Sequence, residues 1–196
     1  MTTVLLQTVG TGGEENPVWE ALAFTVQQRR PDVLVQLCSE RTREQTLPKF
    51  DALLSDEERP GDTRCEAHDN VENVAELTLQ YVDCIDRLKD EFPRARFELD
   101  YTSGTKAMSA AAVAAAVSRR VPLLHYAIGE RDERGVVTKT ESLASLETAP
   151  IVADNLLLEL GRLFDQGQFL AVHQQASRLA EDLLDNLRKA RAESLA

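Results

Sequence analysis

One stretch near the middle of the chain constrains the fold more than any other. The run Phe97-Glu98-Leu99-Asp100-Tyr101 leads into Thr102, Ser103, Gly104, Thr105 and Lys106, and an alanine-rich run follows to residue 116. This order predicts a buried strand that ends in a tight turn and passes directly into a helix. The start of a helix offers unpaired N–H groups and partial positive charge, and Gly104 lets a ligand approach the backbone. The turn therefore predicts a phosphate-binding site, the alternative being that Thr102 or Ser103 only caps the helix.

A second turn of this kind stands near the N-terminus. Residues 4–9 form a short apolar run that Gly10-Thr11-Gly12-Gly13 interrupts, and a helical pattern opens at Asn16-Pro17. Neither turn matches the dinucleotide fingerprint G-x-G-x-x-G or the P-loop pattern. The carboxyl ends of parallel strands meet at one edge of an open sheet, so we expect the two turns to lie at the same edge.

Apolar runs with the spacing of strands alternate with helical patterns up to about residue 149. Strands are predicted at residues 32–38, 63–68, 95–101, 122–128 and 136–143, and helices at residues 70–92 and 107–120. The sequence predicts an α/β fold, a Rossmann-like, doubly wound and mostly parallel sheet that ends in a β-hairpin. A wholly helical segment follows. We place the domain boundary near Ala149-Pro150, which gives a ligand-binding domain at 1–149 and a helical connector, or the start of an effector region, at 150–196.

Charge and composition limit the kinds of ligand that the chain is expected to bind. The net charge of −11 disfavours wrapping of long nucleic acid and fits a small phosphorylated ligand held by local dipoles and one or two cations. No signal sequence or membrane-spanning run is evident, so we expect a cytoplasmic protein. The three cysteines lack metal-ligand spacing, and we expect buried free thiols, no bound metal and no cofactor.

These motifs resemble the CARF domain, the ligand sensor of CRISPR-associated proteins in type III systems. The resemblance covers residues 1–150 and rests on three segments: the turn after residue 8, Ser39-Glu40-Arg41, and residues 101–108. It implies a homodimer that binds cyclic oligoadenylate, of four or six units, across its two-fold axis. The implied ligand-binding residues are Gly10, Thr11, Gly12, Gly13, Ser39, Glu40, Arg41, Thr102, Ser103, Gly104, Thr105, Lys106 and Met108.

Some CARF domains also cut their ligand, so a slow, metal-independent ring nuclease is an open alternative. Its catalytic groups would be Lys106, Ser103, Thr105 and Thr11. A generic Rossmann-like nucleotide enzyme and a transcription regulator with a helical DNA-binding tail are further alternatives.

An effector site is not evident from the sequence. Arg120 and His125 match the R-x-x-x-x-H pattern of HEPN ribonucleases, but they fall beside a predicted core strand instead of on a helix of a helical domain. We interpret that match as chance. The chain is therefore expected to be a stand-alone sensor or the sensor part of a longer protein.

Overall fold

A six-stranded sheet organises the first part of the chain. The computed structural model describes residues 1–13, 17–131 and 137–193. The strands are β1 (Thr3–Thr8), β2 (Val33–Cys38), β3 (Asp62–Ala67), β4 (Arg96–Asp100), β5 (Leu123–Arg131) and β6 (Val137–Glu147). The helices are α1 (Val18–Arg29), α2 (Glu40–Gln45), α3 (Leu47–Asp51), α4 (Val74–Glu91), α5 (Lys106–Ser118), α6 (Ala149–Asp165) and α7 (Phe169–Glu193).

The strand order is β3-β2-β1-β4-β5-β6, and only β6 runs antiparallel to its neighbour. The predicted α/β fold with a mostly parallel sheet and a C-terminal hairpin is confirmed. β1 pairs with both β2 and β4, so the chain builds the sheet outward from β1 in one direction and then in the other. A crevice forms at such a point of reversal, outside the carboxyl ends of the strands, and ligands bind there in open α/β sheets.

Helices cover both faces of the sheet. Val4 and Leu6 share a core with α4 and α5, whereas Leu5 packs with α1 and α3. This alternation follows from the two-residue period of a strand. The small side chains of α5 let this helix lie close to the sheet. The buried alanines of α5 are Ala107, Ala111, Ala112, Ala115 and Ala116.

Several element boundaries differ from the predictions. α1 begins at Val18, because Pro17 occupies the capping position before the helix. α4 begins at Val74 instead of residue 70, because the Asn73 side chain accepts a hydrogen bond from the N–H of Glu76 and caps the helix there. The predicted hairpin turn overlaps residues 132–136, which lie outside the described residues.

One prediction about the cysteines is wrong. Cys38 and Cys84 are buried, but Cys65 is exposed. β3 is an edge strand whose residues alternate between half-buried and exposed, so one of its faces lacks cover. Cys65 lies on that face.

The chain divides into two compact units, Met1–Thr148 and Ala149–Ala196. The second unit contains α6 and α7, where the rings of Phe164 and Phe169 meet edge to face with centroids 5.1 Å apart. Within the described ranges, the helices are all too short or too polar to cross a membrane. The roles predicted for the two units remain predictions.

Candidate functional site

The turn after β4 is built around the carboxylate of Asp100, which is fully buried. Its Oδ1 accepts hydrogen bonds from the N–H of Thr102, at 2.9 Å, and from the Thr102 hydroxyl. Its Oδ2 accepts from Nε2 of Gln7 on the neighbouring strand, also at 2.9 Å. Asp100 thereby folds the chain back on itself immediately after the strand and fastens the turn to β1.

Gly104 supplies a backbone conformation that other residues rarely adopt. Its φ is +102°, and a Cβ at this position would lie 3.2 Å from Cβ of Met108 and 3.3 Å from Cβ of Thr8. Glycine is therefore required for both the backbone angle and the space. Met108 is buried against this glycine. Its side chain packs against the turn from the protein interior instead of facing solvent.

Thr105 begins α5 as its capping residue. The hydroxyl oxygen accepts from the N–H of Met108 at 3.2 Å, and the hydroxyl donates to the carbonyl of Val71 at 2.8 Å. The hydroxyl of Thr102 is used in a similar way, because it donates to Asp100 and accepts from the N–H of Ala127 at 2.8 Å. Both hydroxyls, predicted as ligand donors, make hydrogen bonds within the protein in this structure.

The two turns are in direct contact. The N–H of Gly10 donates to Oγ of Ser103 at 3.0 Å, and the Thr8 hydroxyl donates to the carbonyl of Ser103. A Cβ on Gly10 would lie 2.6 Å from the backbone nitrogen of Gly104. The loops after β1 and β4 thus touch backbone to backbone, which only glycine at position 10 permits.

The turn after β1 is supported by residues distant in sequence. The hydroxyl of Thr46, between α2 and α3, donates to the carbonyl of Gly10 at 3.0 Å. Gly12 is crowded, since a Cβ there would lie 2.7 Å from Val18 and 2.8 Å from the Trp19 ring. Among the described residues, nothing lies within 4 Å of a Cβ at Gly13, and Thr11 is exposed. The outer part of this turn is thus accessible, whereas its inner part is packed.

Two cations lie close to these turns. Lys106 is the first residue of α5, and its side chain is exposed and has no ion-pair partner among the described residues. Lys49 lies over the Trp19 ring, with Nζ 4.2 Å from the ring centroid, next to the turn that carries Gly12. Together with the partial positive charge at the start of α5, Lys106 makes the second turn attractive to an anion.

The third predicted segment follows β2, which lies beside β1 in the sheet. Ser39 caps α2: its hydroxyl accepts from the N–H of Thr42 at 3.2 Å, while its own N–H donates to the Thr42 hydroxyl at 2.9 Å. Glu40 and Arg41 are exposed on the first turn of that helix. Glu40 pairs with Arg43 at 3.3 Å. The segment lies at the edge formed by the carboxyl ends of the strands. Glu40 and Arg41 can therefore contact a ligand at this edge only from the side of β2.

His125 has a structural role. It is fully buried, with Nε2 2.9 Å from Oε2 of Glu98 and Nδ1 2.8 Å from the Ser145 hydroxyl. Arg29 also donates to Glu98, at 2.6 and 2.8 Å. Burial raises the pKa of Glu98, but the hydrogen bonds from His125 and Arg29 outweigh it and lower the pKa to about 2. The histidine of the R-x-x-x-x-H match thus belongs to an ionic network in the interior of the sheet, which agrees with the interpretation of that match as chance.

Sequence reasoning missed the residues that assemble the site. Four residues hold the two turns but were not among the predicted site residues: Asp100, Gln7, Thr8 and Thr46. A signal for Asp100 was present, because an aspartate two residues before a threonine at a strand end is typical of a side-chain turn. Thr46 carried no such signal, since its bond to Gly10 spans 36 residues.

Comparison with solved structures shows which folds this chain shares. A structure of Enterococcus italicus Csm6 bound to cyclic hexa-2'-fluoro-hexa-dAMP matches 97% of this chain with a TM-score of 0.66 and 11% identity. The Rossmann-like α/β fold predicted from the sequence is confirmed by this shared fold. The match covers 55% of the Csm6 chain, so the present chain spans about half the length of that protein.

Two other structures match smaller parts of this chain. Protein VC1899 from Vibrio cholerae matches 64% of this chain and 30% of its own, with a TM-score of 0.51 and 9% identity. A type III CRISPR defence DNA nuclease activated by cyclic oligoadenylate matches 67% of this chain and 19% of its own, with a TM-score of 0.49 and 18% identity. The sequence itself matches no family model and no curated protein.

Proposed function

We propose that this chain is a sensor of cyclic oligoadenylate in type III CRISPR defence, and that the ligand occupies the crevice between the ends of β1 and β4. The contact between the two turns carries this proposal. The bond from Gly10 to Ser103 joins two glycine-containing loops where the strand order reverses, next to the start of α5 and Lys106. The shared fold with Csm6, which was solved with a cyclic hexanucleotide analogue, supports the same ligand class.

We infer different tasks for the predicted ligand residues. Lys106 and the first N–H groups of α5 would meet one phosphate, because the Thr105 cap occupies only the N–H of Met108. The exposed Thr11 and the open backbone at Gly13 would meet another. Thr102, Thr105 and Met108 would act indirectly, by holding the second turn in shape.

A two-fold ligand is best matched by a two-fold protein, so we further propose a homodimer in which both copies contribute their turns to one crevice. Residues 149–196 would then pass ligand occupancy to an attached or associated effector. For such a signal the ligand must favour one arrangement of the dimer over another.

Ring cleavage is less well supported than binding. Of the four groups predicted to stabilise a cleavage transition state, Ser103 is 5% exposed and its oxygen already accepts from Gly10. The hydroxyl of Thr105 is held by Met108 and Val71. Only Lys106 and Thr11 are exposed to a ligand, which favours a binding module over a ring nuclease.

Calorimetry with cyclic tetra-adenylate, cyclic hexa-adenylate, ATP and NAD tests the proposed ligand class. We expect one of the two rings to bind at micromolar concentration or below, and Lys106→Ala to weaken it by about 1–3 kcal/mol through loss of a charge-assisted contact. Arg94→Ala is the matched control, because it removes an exposed cation at the opposite edge of the sheet, just before β4.

Binding of ATP or NAD without binding of either ring would overturn the proposal in favour of a generic nucleotide enzyme. Equal losses of ring affinity for Lys106→Ala and Arg94→Ala would show that the second turn is only a helix cap. Incubation of the bound ring with protein and chelator, followed by chromatography, separates a sensor from a ring nuclease: a sensor leaves the ring intact.

A further inference from the structure

Two cysteines on neighbouring strands bring their sulfur atoms together. Cys38 ends β2 and Cys65 lies in β3, and their Sγ atoms are 2.6 Å apart. The register pairs Cys65 with Gln36, two residues before Cys38, so both side chains project from the same face of the sheet. The contact therefore follows from the strand register.

The two thiols differ in access. Cys65 is exposed, whereas Cys38 is completely buried. Burial and the hydrogen bond to Cys65 raise the pKa of Cys38 far above its ordinary value. An external reagent can therefore reach Cys65 but not Cys38, and a group attached to Cys65 lies next to Cys38. An accessible thiol beside a second, resolving thiol is the arrangement of a redox-active pair.

We propose that Cys38 and Cys65 form a dithiol that is reversibly oxidised to an intramolecular disulfide by exchange with a low-molecular-weight disulfide such as oxidised glutathione. The thiolate of Cys65 attacks one sulfur of the reagent, forms a mixed disulfide and releases one thiolate. The sulfur of Cys38 then attacks Sγ of Cys65 and expels the second reagent thiolate, which takes up the proton that Cys38 loses. The two cysteines lose two electrons and two protons, and one molecule of reagent disulfide becomes two thiols.

The bond would close a segment that supports the first turn. Residues 39–64 contain the Ser39 cap and Thr46, whose hydroxyl holds the carbonyl of Gly10. Oxidation would link the end of β2 to β3 and restrain this segment from both sides. The chemistry of the pair is independent of the proposed ligand.

The third cysteine provides an internal control. Cys84 lies in α4 and packs in the core on the opposite face from Cys38. Burial raises the pKa of Cys84 to about 11. Because Cys84 is buried and lies on the other face of the sheet from Cys65, neither the reagent nor the mixed disulfide can reach it, and we expect it to remain a thiol when the pair reacts.

The test is treatment of the folded full chain with oxidised glutathione, alkylation of the remaining thiols after unfolding, and intact-mass and peptide mapping. We expect the wild type to lose two hydrogens, to retain no glutathione, and to show a Cys38–Cys65 cross-linked peptide that dithiothreitol removes. Cys38→Ala should retain glutathione on Cys65, Cys65→Ser should stay unmodified, and Cys84→Ser should behave like the wild type.

The proposal is overturned if the wild type keeps glutathione on Cys65 without forming the Cys38–Cys65 cross-link, or if all three cysteines are found alkylated. Mapping of the wild type alone decides this, even if a variant folds poorly. Hydrogen exchange then tests the restraint: oxidation should slow exchange within residues 39–51 of the wild type at least several-fold and leave Cys38→Ala unchanged. Equal exchange in the oxidised and reduced wild type would contradict the restraint.

Discussion

The turns after β1 and β4 occupy neighbouring positions at one edge of the sheet, but they are held in different ways. The second turn has hydrogen bonds within itself, because Asp100 binds Thr102 and Thr105 caps the helix that follows. It is also bound to Gln7 and Thr8 of β1. The first turn depends on Ser103 and Thr46, which lie 93 and 36 residues away from Gly10. The second turn is therefore the scaffold, and the first takes its position from it.

The helices that follow show the same contrast. α5 begins with Thr105, whose side chain satisfies the N–H of Met108. α1 begins after Pro17, a residue without a capping side chain. A change in the second turn should consequently disturb both loops, whereas a change in the outer part of the first should remain local.

The largest effect is expected for Asp100→Ala. It removes the acceptor of three hydrogen bonds in a fully buried site and leaves Nε2 of Gln7 and the N–H of Thr102 without that partner. We expect a loss of about 3–5 kcal/mol in the free energy of unfolding, measured by urea denaturation.

Asp100→Asn serves as the graded control. It keeps the Oδ1 acceptor but points an amide NH2 group toward the NH2 group of Gln7. Its free energy of unfolding should therefore lie between that of the wild type and that of Asp100→Ala. A loss below about 1 kcal/mol for Asp100→Ala would mean that the second turn is held in some other way.

A smaller effect is expected for Gly10→Ala, with Gly13→Ala as its matched control. A Cβ on Gly10 meets the backbone of Gly104 at 2.6 Å, whereas a Cβ on Gly13 meets none of the residues that the structure describes within 4 Å. Thermal unfolding should show that the free energy of unfolding falls by about 1–3 kcal/mol for Gly10→Ala and changes by no more than about 0.5 kcal/mol for Gly13→Ala. Equal stability of the two variants would contradict the close approach of the turns.

The smallest effect on stability is expected for Ser103→Ala. This substitution leaves the N–H of Gly10 without its acceptor but keeps the backbone of the second turn. The free energy of unfolding should therefore fall by about 1–2 kcal/mol. Hydrogen exchange should show faster exchange at Gly10 while the N–H of Thr102, which Asp100 holds, remains protected. Faster exchange at both N–H groups would show that the scaffold role belongs to Ser103 as well.

The sequence predicted the fold around the site better than the hydrogen bonds within it. Apolar periodicity and the order of strands and helices were sufficient for the parallel sheet, because they reflect which side chains are buried. The rule that parallel strands end at one edge then placed the two turns together. Neither argument depends on the partner of any particular hydroxyl.

The three hydroxyls of the second turn show where such reasoning stops. Thr102 turns back to Asp100, Ser103 faces Gly10 and Thr105 caps α5 while binding Val71. In the sequence they are three similar residues beside a glycine. Their partners come from strands and loops up to 93 residues away, and periodicity contains no information about these tertiary contacts.

The position of β4 beside β1 has a consequence for biosynthesis. The strand that completes the crevice pairs with one that left the ribosome about ninety residues earlier, with two other strands made in between. Contacts of such long sequence separation form late, after the intervening segments have closed their loops. A nascent chain that has not yet released α5 from the ribosome would therefore lack half of the crevice, and the proposed ligand would be recognised only by protein whose translation is well advanced.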